Sequence, residues 1–163
     1  MSVQKTIHND IVTEKSLYDT DFYQWTIYNA ALLRQGRFSE LDVENIAEEI
    51  ETMGRSEKRE LINRLSVLIM HLLKLQYQPQ QHSKSWITTI GSQRTDIEFL
   101  LEDSPSLEHE IELIIEKAYE RAKVRFQKDT GISQERLPDS CPYTFEQLID
   151  DNFWPKGNSS VYD

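Results

Sequence analysis

An all-α body is what this sequence predicts, and three features predict it. The stretch SEKRELINRLSVLIMHLLKLQY places Leu61, Leu65, Leu68, Leu72 and Leu75 at alternating spacings of four and three, which aligns them on one helix face. Glycine and proline are scarce, five of each in 163 residues, so long uninterrupted elements are allowed. Runs of alternating Val, Ile and Thr between hairpin turns, the mark of a sheet, are absent. At this length one core buries roughly two thirds of the unfolded chain's surface, with no disulfide or structural metal needed. The expected architecture is a single-domain bundle of about five helices over residues 17–155. A flexible N-terminal arm (1–16) precedes it, and a C-terminal tail wraps it and runs out over 156–163.

Taken in order, residues 1–18 show no strong period, although Ile7, Ile11, Val12 and Leu17 can dock on the body. Asp19 or Thr20 caps the first helix, because a short side-chain oxygen accepts an orphan first-turn amide. Phe22, Trp25, Tyr28 or Asn29, and Leu32 recur along it at helical spacing, and Gly36 ends it. Ser39 opens the second helix, with Val43, Ile46, Ala47, Ile50 and Met53 as its apolar stripe and Glu44, Glu48 and Glu51 as an acidic face. Gly54 leaves two outcomes open: a break between two helices, or a kink in one. The leucine-rich third helix restarts at Ser56. Ile62 and Ile69 widen its stripe, which predicts a central position.

Pro79 stops that helix, since it lacks a backbone donor and disfavours helix at the residue before it. Ser83 or Ser85 caps a fourth helix from about Trp86 to Leu101, with Trp86, Ile90, Ile97, Phe99 and Leu100 on its stripe. Ser104, with Pro105 at the first helical position, opens a long fifth helix through Leu107, Ile111, Ile114, Ile115, Ala118, Ala122 and Phe126, ended by Gly131. Thr144 caps a short tail helix. Tyr143, Phe145, Leu148, Phe153 and Trp154 are too many large apolar side chains to leave in water at roughly 1.5–3 kcal/mol each, so the tail is expected to pack on the body.

The net charge of −10 is unevenly spread: −6 over residues 1–54, +5 over 55–94 and −9 over 95–163. Overall acidity repels nucleic acid and anionic membranes. The basic middle is read as neutralised against its acidic neighbours. A lone cysteine, Cys141, fits a reducing compartment, and the first 20 residues hold no unbroken apolar core of the secretory kind. The longest apolar window, residues 65–75, is too short to cross a bilayer. A cytoplasmic protein without membrane association is expected.

Few residues offer chemistry. Glu44, Glu48 and Glu51 share a face, but a di-metal bundle needs Glu-x-x-His on two helices, and position 68, three before His71, is Leu. No metal or cofactor is expected. His71 flanks the leucine stripe, where Glu48 or Glu49 of the preceding helix can pair with it. As a working site, Glu48, Glu49 and His71, with Arg94 holding an anion, would suit a metal-dependent or acid–base hydrolase. The competing reading is a structural histidine with its hydrogen bonds satisfied. Cys141, followed by Pro142 in irregular chain, has no nucleophile context. The five glycines are isolated and form no phosphate-cradling loop. Arg64, His71, Lys74, His82, Lys84 and Arg94, flanked by Tyr77 and Trp86, are too few for more than weak nucleic-acid binding.

LYDTDFYQW (17–25), ENIAEEIETMGRSEKREL (44–61), HLLKLQYQP (71–79), SKSW (83–86), DSPSL (103–107) and CPYTFEQLIDDNFWP (141–155), in this order, resemble the bacterial family catalogued as domain of unknown function 29, abundant in cyanobacteria. The resemblance implies a small all-helical protein and carries over no catalytic or binding residue. The function expected is therefore that of a non-catalytic interaction or regulatory protein, whose partner is another protein or a second copy of the chain.

Overall fold

The computed structural model describes residues 16–157; the N-terminal arm, except Ser16, and residues 158–163 lie outside them. Among the described residues there are helices and no strands. They are α1 (Leu17–Thr20), α2 (Phe22–Arg34), α3 (Val43–Tyr77), α4 (Lys84–Asp103), α5 (Ile111–Thr130) and α6 (Phe145–Ile149), with short 3₁₀ segments at Phe38–Glu40, Pro79–Gln81, Pro105–Glu110 and Gln134–Arg136. The chain divides into two compact units, Met1–Glu51 and Thr52–Asp163.

Gly54 neither breaks nor ends a helix. The second and third expected helices are one element of 35 residues, α3, which stays helical through Gly54. Nothing lies within 4 Å of where a Cβ would stand on that glycine, so no close packing requires it. Other boundaries moved by about a turn, except the start of α5, which moved by six residues. Asp21 caps α2, its carboxylate accepting the Gln24 amide at 3.0 Å. Ser83 caps α4 by accepting the Trp86 amide at 3.3 Å. The Ser104 side chain makes no capping bond, and its segment opens as a 3₁₀ turn; regular α5 starts only at Ile111. Gly131 closes α5 in the left-handed conformation at φ 75°, which favours glycine.

The second unit holds the core. Leu61, Leu65, Leu68, Leu72 and Leu75 are all buried, and Ile62, Ile69, Met70 and Leu73 join them, so this part of α3 is apolar nearly all round. Such a helix belongs at the centre of a bundle. Ile90, Ile97, Leu100 and Leu101 of α4 pack in the same cluster, as do Ile114, Ile115, Ala118, Tyr119, Ala122 and Phe126 of α5. Phe99, assigned to the α4 stripe by spacing, is exposed instead. The tail closes the unit: Leu137, Tyr143 and Leu148 are buried in the core, and the Tyr119 hydroxyl donates to the Pro138 carbonyl at 2.6 Å. Thr144 forms the complete capping box of α6 with Gln147.

The first unit is built differently. Among its described residues only Trp25, Asn29 and Leu32 are buried. Tyr18, Phe22 and Trp25 form an aromatic cluster, with Phe22 stacked on Trp25 at 5.5 Å between centroids. Asp42 ties the unit together. Its carboxylate accepts the Trp25 indole N–H at 2.9 Å and the Asn45 side-chain amide at 2.8 Å, and its backbone N–H donates to Asn29 Oδ1 at 3.1 Å. Those bonds to Asn45 and Trp25 favour the carboxylate form and hold its pKa below the usual aspartate value. The stripe expected on the first half of α3 is not a buried one: Val43, Ala47 and Ile50 are exposed and Ile46 is half-buried.

Candidate functional site

The four residues singled out for chemistry have separate occupations. The Tyr18 hydroxyl donates to Glu49 Oε1 at 2.5 Å, which raises the phenol's pKa. Glu48 is exposed on the same turn. Pairing either acid with His71 required the chain to reverse at Gly54, and it stays helical there. His71 instead turns to its own helix, with Nδ1 2.8 Å from the Val67 carbonyl oxygen. A carbonyl only accepts, so Nδ1 carries the proton and Nε2 is left as the acceptor. Burial lowers the His71 pKa below 6.5, opposed in part by the Val67 contact.

This gives a signed pH dependence. With the folded-state pKa lowered, the unfolded chain takes up the proton first as pH falls. The residue's contribution to stability is complete above about pH 6.5 and is lost as pH drops through the lowered folded value. An NMR titration of the folded chain is expected to place the His71 midpoint below 6.5. Denaturant unfolding of His71→Gln should show a flatter rise of stability with pH across the same window. A midpoint above 6.5 would contradict the burial argument.

Arg94 is 3% exposed, and its guanidinium is spent on the tail. Nε donates to the Leu148 carbonyl at 2.9 Å, and Nη2 donates to the Phe153 carbonyl at 2.9 Å and the Gln147 carbonyl at 3.4 Å. The Trp154 ring lies 5.3 Å from the guanidinium carbon. Burial pulls the guanidinium below its usual pKa, and Asp151 and Asp150 oppose that. Arg94 also lines a cavity of about 410 Å³ with Glu98, Glu102, Glu108 and Asp151 around an apolar wall of Leu101, Phe145 and Ile149. The carboxylates outnumber the one cation, so the cavity repels the anion that Arg94 was expected to hold.

The basic middle is engaged with neighbouring acids. Arg64 pairs with Asp96 of α4 at 2.6 Å and with Glu60 at 2.8 Å, and Lys58 reaches Glu110 at 3.0 Å. Lys74 pairs with Asp129 of α5 at 3.1 Å and lies 4.9 Å from the Trp86 ring centre. Tyr77 is buried, so it is no stacking platform for a base. Cys141 is partly buried, and desolvation raises its thiol to about 11, away from nucleophilic range. Among the described residues no three His, Cys, Asp or Glu side chains gather as metal ligands would.

What spacing alone missed lies on α2. Nine of the fifteen exposed large hydrophobic side chains among the described residues belong to the first unit, and Phe22, Tyr23, Ile27, Tyr28 and Leu33 of α2 are five of them. The signal was present in FYQWTIYNAALLR, whose thirteen residues include one charge, Arg34, at the end. Phe22 and Tyr28 stand on the expected repeat of Phe22, Trp25, Tyr28 or Asn29, and Leu32; Tyr23 and Ile27 stand on the opposite side and Leu33 between, outside it. No helix among the described residues is long and apolar enough to cross a membrane. No curated protein and no solved structure matches the chain. The family model described as Domain of unknown function DUF29 matches residues 17–154, from the start of α1 through the packed tail, and the chain belongs to that family.

Proposed function

We propose that this chain is a non-catalytic cytoplasmic interaction protein that works by presenting its first unit to a protein partner. The observation that carries this reading is α2, a helix with one charged residue in thirteen and three buried residues in the described chain. Large apolar side chains left exposed, such as Tyr23 and Ile27, favour association with a surface that covers them. The polar side chains that chemistry would require support the reading from the other direction, because Arg94 and His71 are bonded to backbone carbonyls.

The test is a capture experiment from host cells with the full chain and its Tyr23→Lys/Ile27→Glu variant side by side. Both positions are exposed, so the variant is expected to keep its helical circular dichroism. The wild-type chain should retain a stoichiometric protein, either foreign or a second, differently tagged copy, and the variant should lose it. Equal recovery by both chains, or no partner with either, would overturn the reading.

A further inference from the structure

We infer that a different surface, the groove between α3 and α5, binds an acidic, amphipathic segment of a protein partner. The groove lies wholly within the second unit and involves no residue of α2. The charge pattern is the first indication. Residues 95–163 carry net −9, yet five of the seven Lys and Arg residues in that stretch fall in KAYERAKVRFQK (117–128), where Glu120 is the one acid. Four of the five, Lys117, Arg121, Arg125 and Lys128, follow at spacings of four, four and three, which puts them on one side of α5. They span about 16 Å along the helix axis. The helix dipole favours a cation in the last turn, which accounts for Lys128 and not for the other three.

Cations elsewhere in this unit, Lys58, Arg64 and Lys74, pair with carboxylates. The side chains of Lys117, Arg125 and Lys128 make no hydrogen bond or ion pair among the described residues. Arg121 Nη1 donates to Asn63 Oδ1 of α3 at 2.6 Å, which holds the guanidinium at the groove. Arg121, Arg125 and Lys128 line this groove of about 550 Å³ with Asn63 and Val124. Val124, 43% exposed, sets an apolar side chain among the cations. Charge complementarity selects an anionic occupant. Two features select a polypeptide over nucleic acid. Glu120 also lines the groove and opposes an unbroken row of phosphates, whereas a peptide can place an uncharged residue there. Among the described residues no aromatic side chain lines the groove, so bases find no stacking platform, while Val124 suits an apolar peptide side chain. Carboxylates four residues apart on a partner helix repeat every 6 Å or so (about 1.5 Å per residue), the same step as the cations spaced by four on α5.

Fluorescence anisotropy of the purified full chain at low ionic strength tests this with three labelled probes: a short helical Glu/Leu peptide, an all-glutamate peptide, and an oligothymidylate of equal charge. The Glu/Leu peptide is expected to bind although the chain's net charge is −10, and to bind more tightly than the oligonucleotide. Arg125→Glu/Lys128→Glu should weaken it about tenfold, the scale of two exposed ion pairs lost and replaced by repulsion. Lys84→Glu/Lys156→Glu changes the net charge equally at positions outside the groove and should leave binding unchanged. All four positions are exposed, so both variants are expected to keep the wild-type helical circular dichroism. Val124→Ser should weaken the Glu/Leu peptide and spare the all-glutamate one. The inference is overturned by a Glu/Leu peptide that does not bind, by an oligonucleotide that binds more tightly, or by equal losses in the two charge-reversed variants, which would make the effect one of net charge alone. It is overturned as well by a Val124→Ser variant that binds both peptides as the wild type does.

Discussion

Arg94→Ala is expected to destabilise the fold by about 3–4 kcal/mol, although the residue touches neither an acid nor an apolar core side chain through its charge. Its guanidinium donates to the carbonyls of Leu148 and Phe153, both at 2.9 Å, and more distantly to Gln147. Each hydrogen bond to a charged group contributes roughly 1.5–3 kcal/mol, and truncation also strands acceptors in a region where Leu148 is fully buried. The loss should be local before it is global. Residues 143–157 are expected to lose hydrogen-exchange protection and become the first site of proteolysis, because this side chain hydrogen-bonds α4 to that stretch. Arg94→Lys should recover less than half the loss, since one ammonium cannot reproduce the fork that serves Nε and Nη2 partners together. Urea unfolding of the three chains checks the order. Equal stability of wild type and Arg94→Ala would show that the tail is held by its apolar side chains alone.

Leu68→Ala should cost about 3–4 kcal/mol, and Ile50→Ala on the same helix less than about 0.5 kcal/mol. Both are large aliphatic residues of α3, and both fall on stripes at helical spacing. Leu68 is 0% exposed among Leu65, Ile69, Leu72 and the α4 and α5 residues of the core, so truncation leaves a cavity in addition to the lost transfer energy. Ile50 is 63% exposed, and its removal leaves no void. A helix propensity argument predicts the opposite of the Ile50 result in sign, because alanine is the better helix former. The net effect at that position is therefore expected near zero or slightly stabilising. Comparable losses at the two sites would mean that the first half of α3 is covered in solution.

The contrast between those two positions marks how far periodicity reaches. The leucine repeat from Leu61 to Leu75 has only one economical solution, a buried central helix, because five large side chains on one face must leave water together. Capping chemistry was legible for the same local reason. Ser83 and Thr144 accept amides from the residues just after them, and Gly131 takes the backbone conformation that other residues avoid. Family membership was legible too, through a series of short motifs in a fixed order. These features depend on neighbours along the chain, which is the information a sequence carries directly.

Tertiary structure decided the rest. Whether Gly54 divides two helices depends on what the flanking turns pack against, and a glycine costs only about 1 kcal/mol inside a helix, too little to force a break. The continuity of α3 removed the reversal on which the pairing of His71 with Glu48 or Glu49 rested. The charge of Arg94 suggested an anion site, but its carbonyl partners lie more than fifty residues away on the tail, where no local spacing points to them. Asp42 appears along the chain as one acid among many; only folding brings the Trp25 indole and the Asn29 amide to it. Amphipathic spacing says that a face is apolar. Which apolar faces are covered within one chain, and which are left for a partner, is set by three-dimensional packing. The exposed large side chains of α2 are decided at that level.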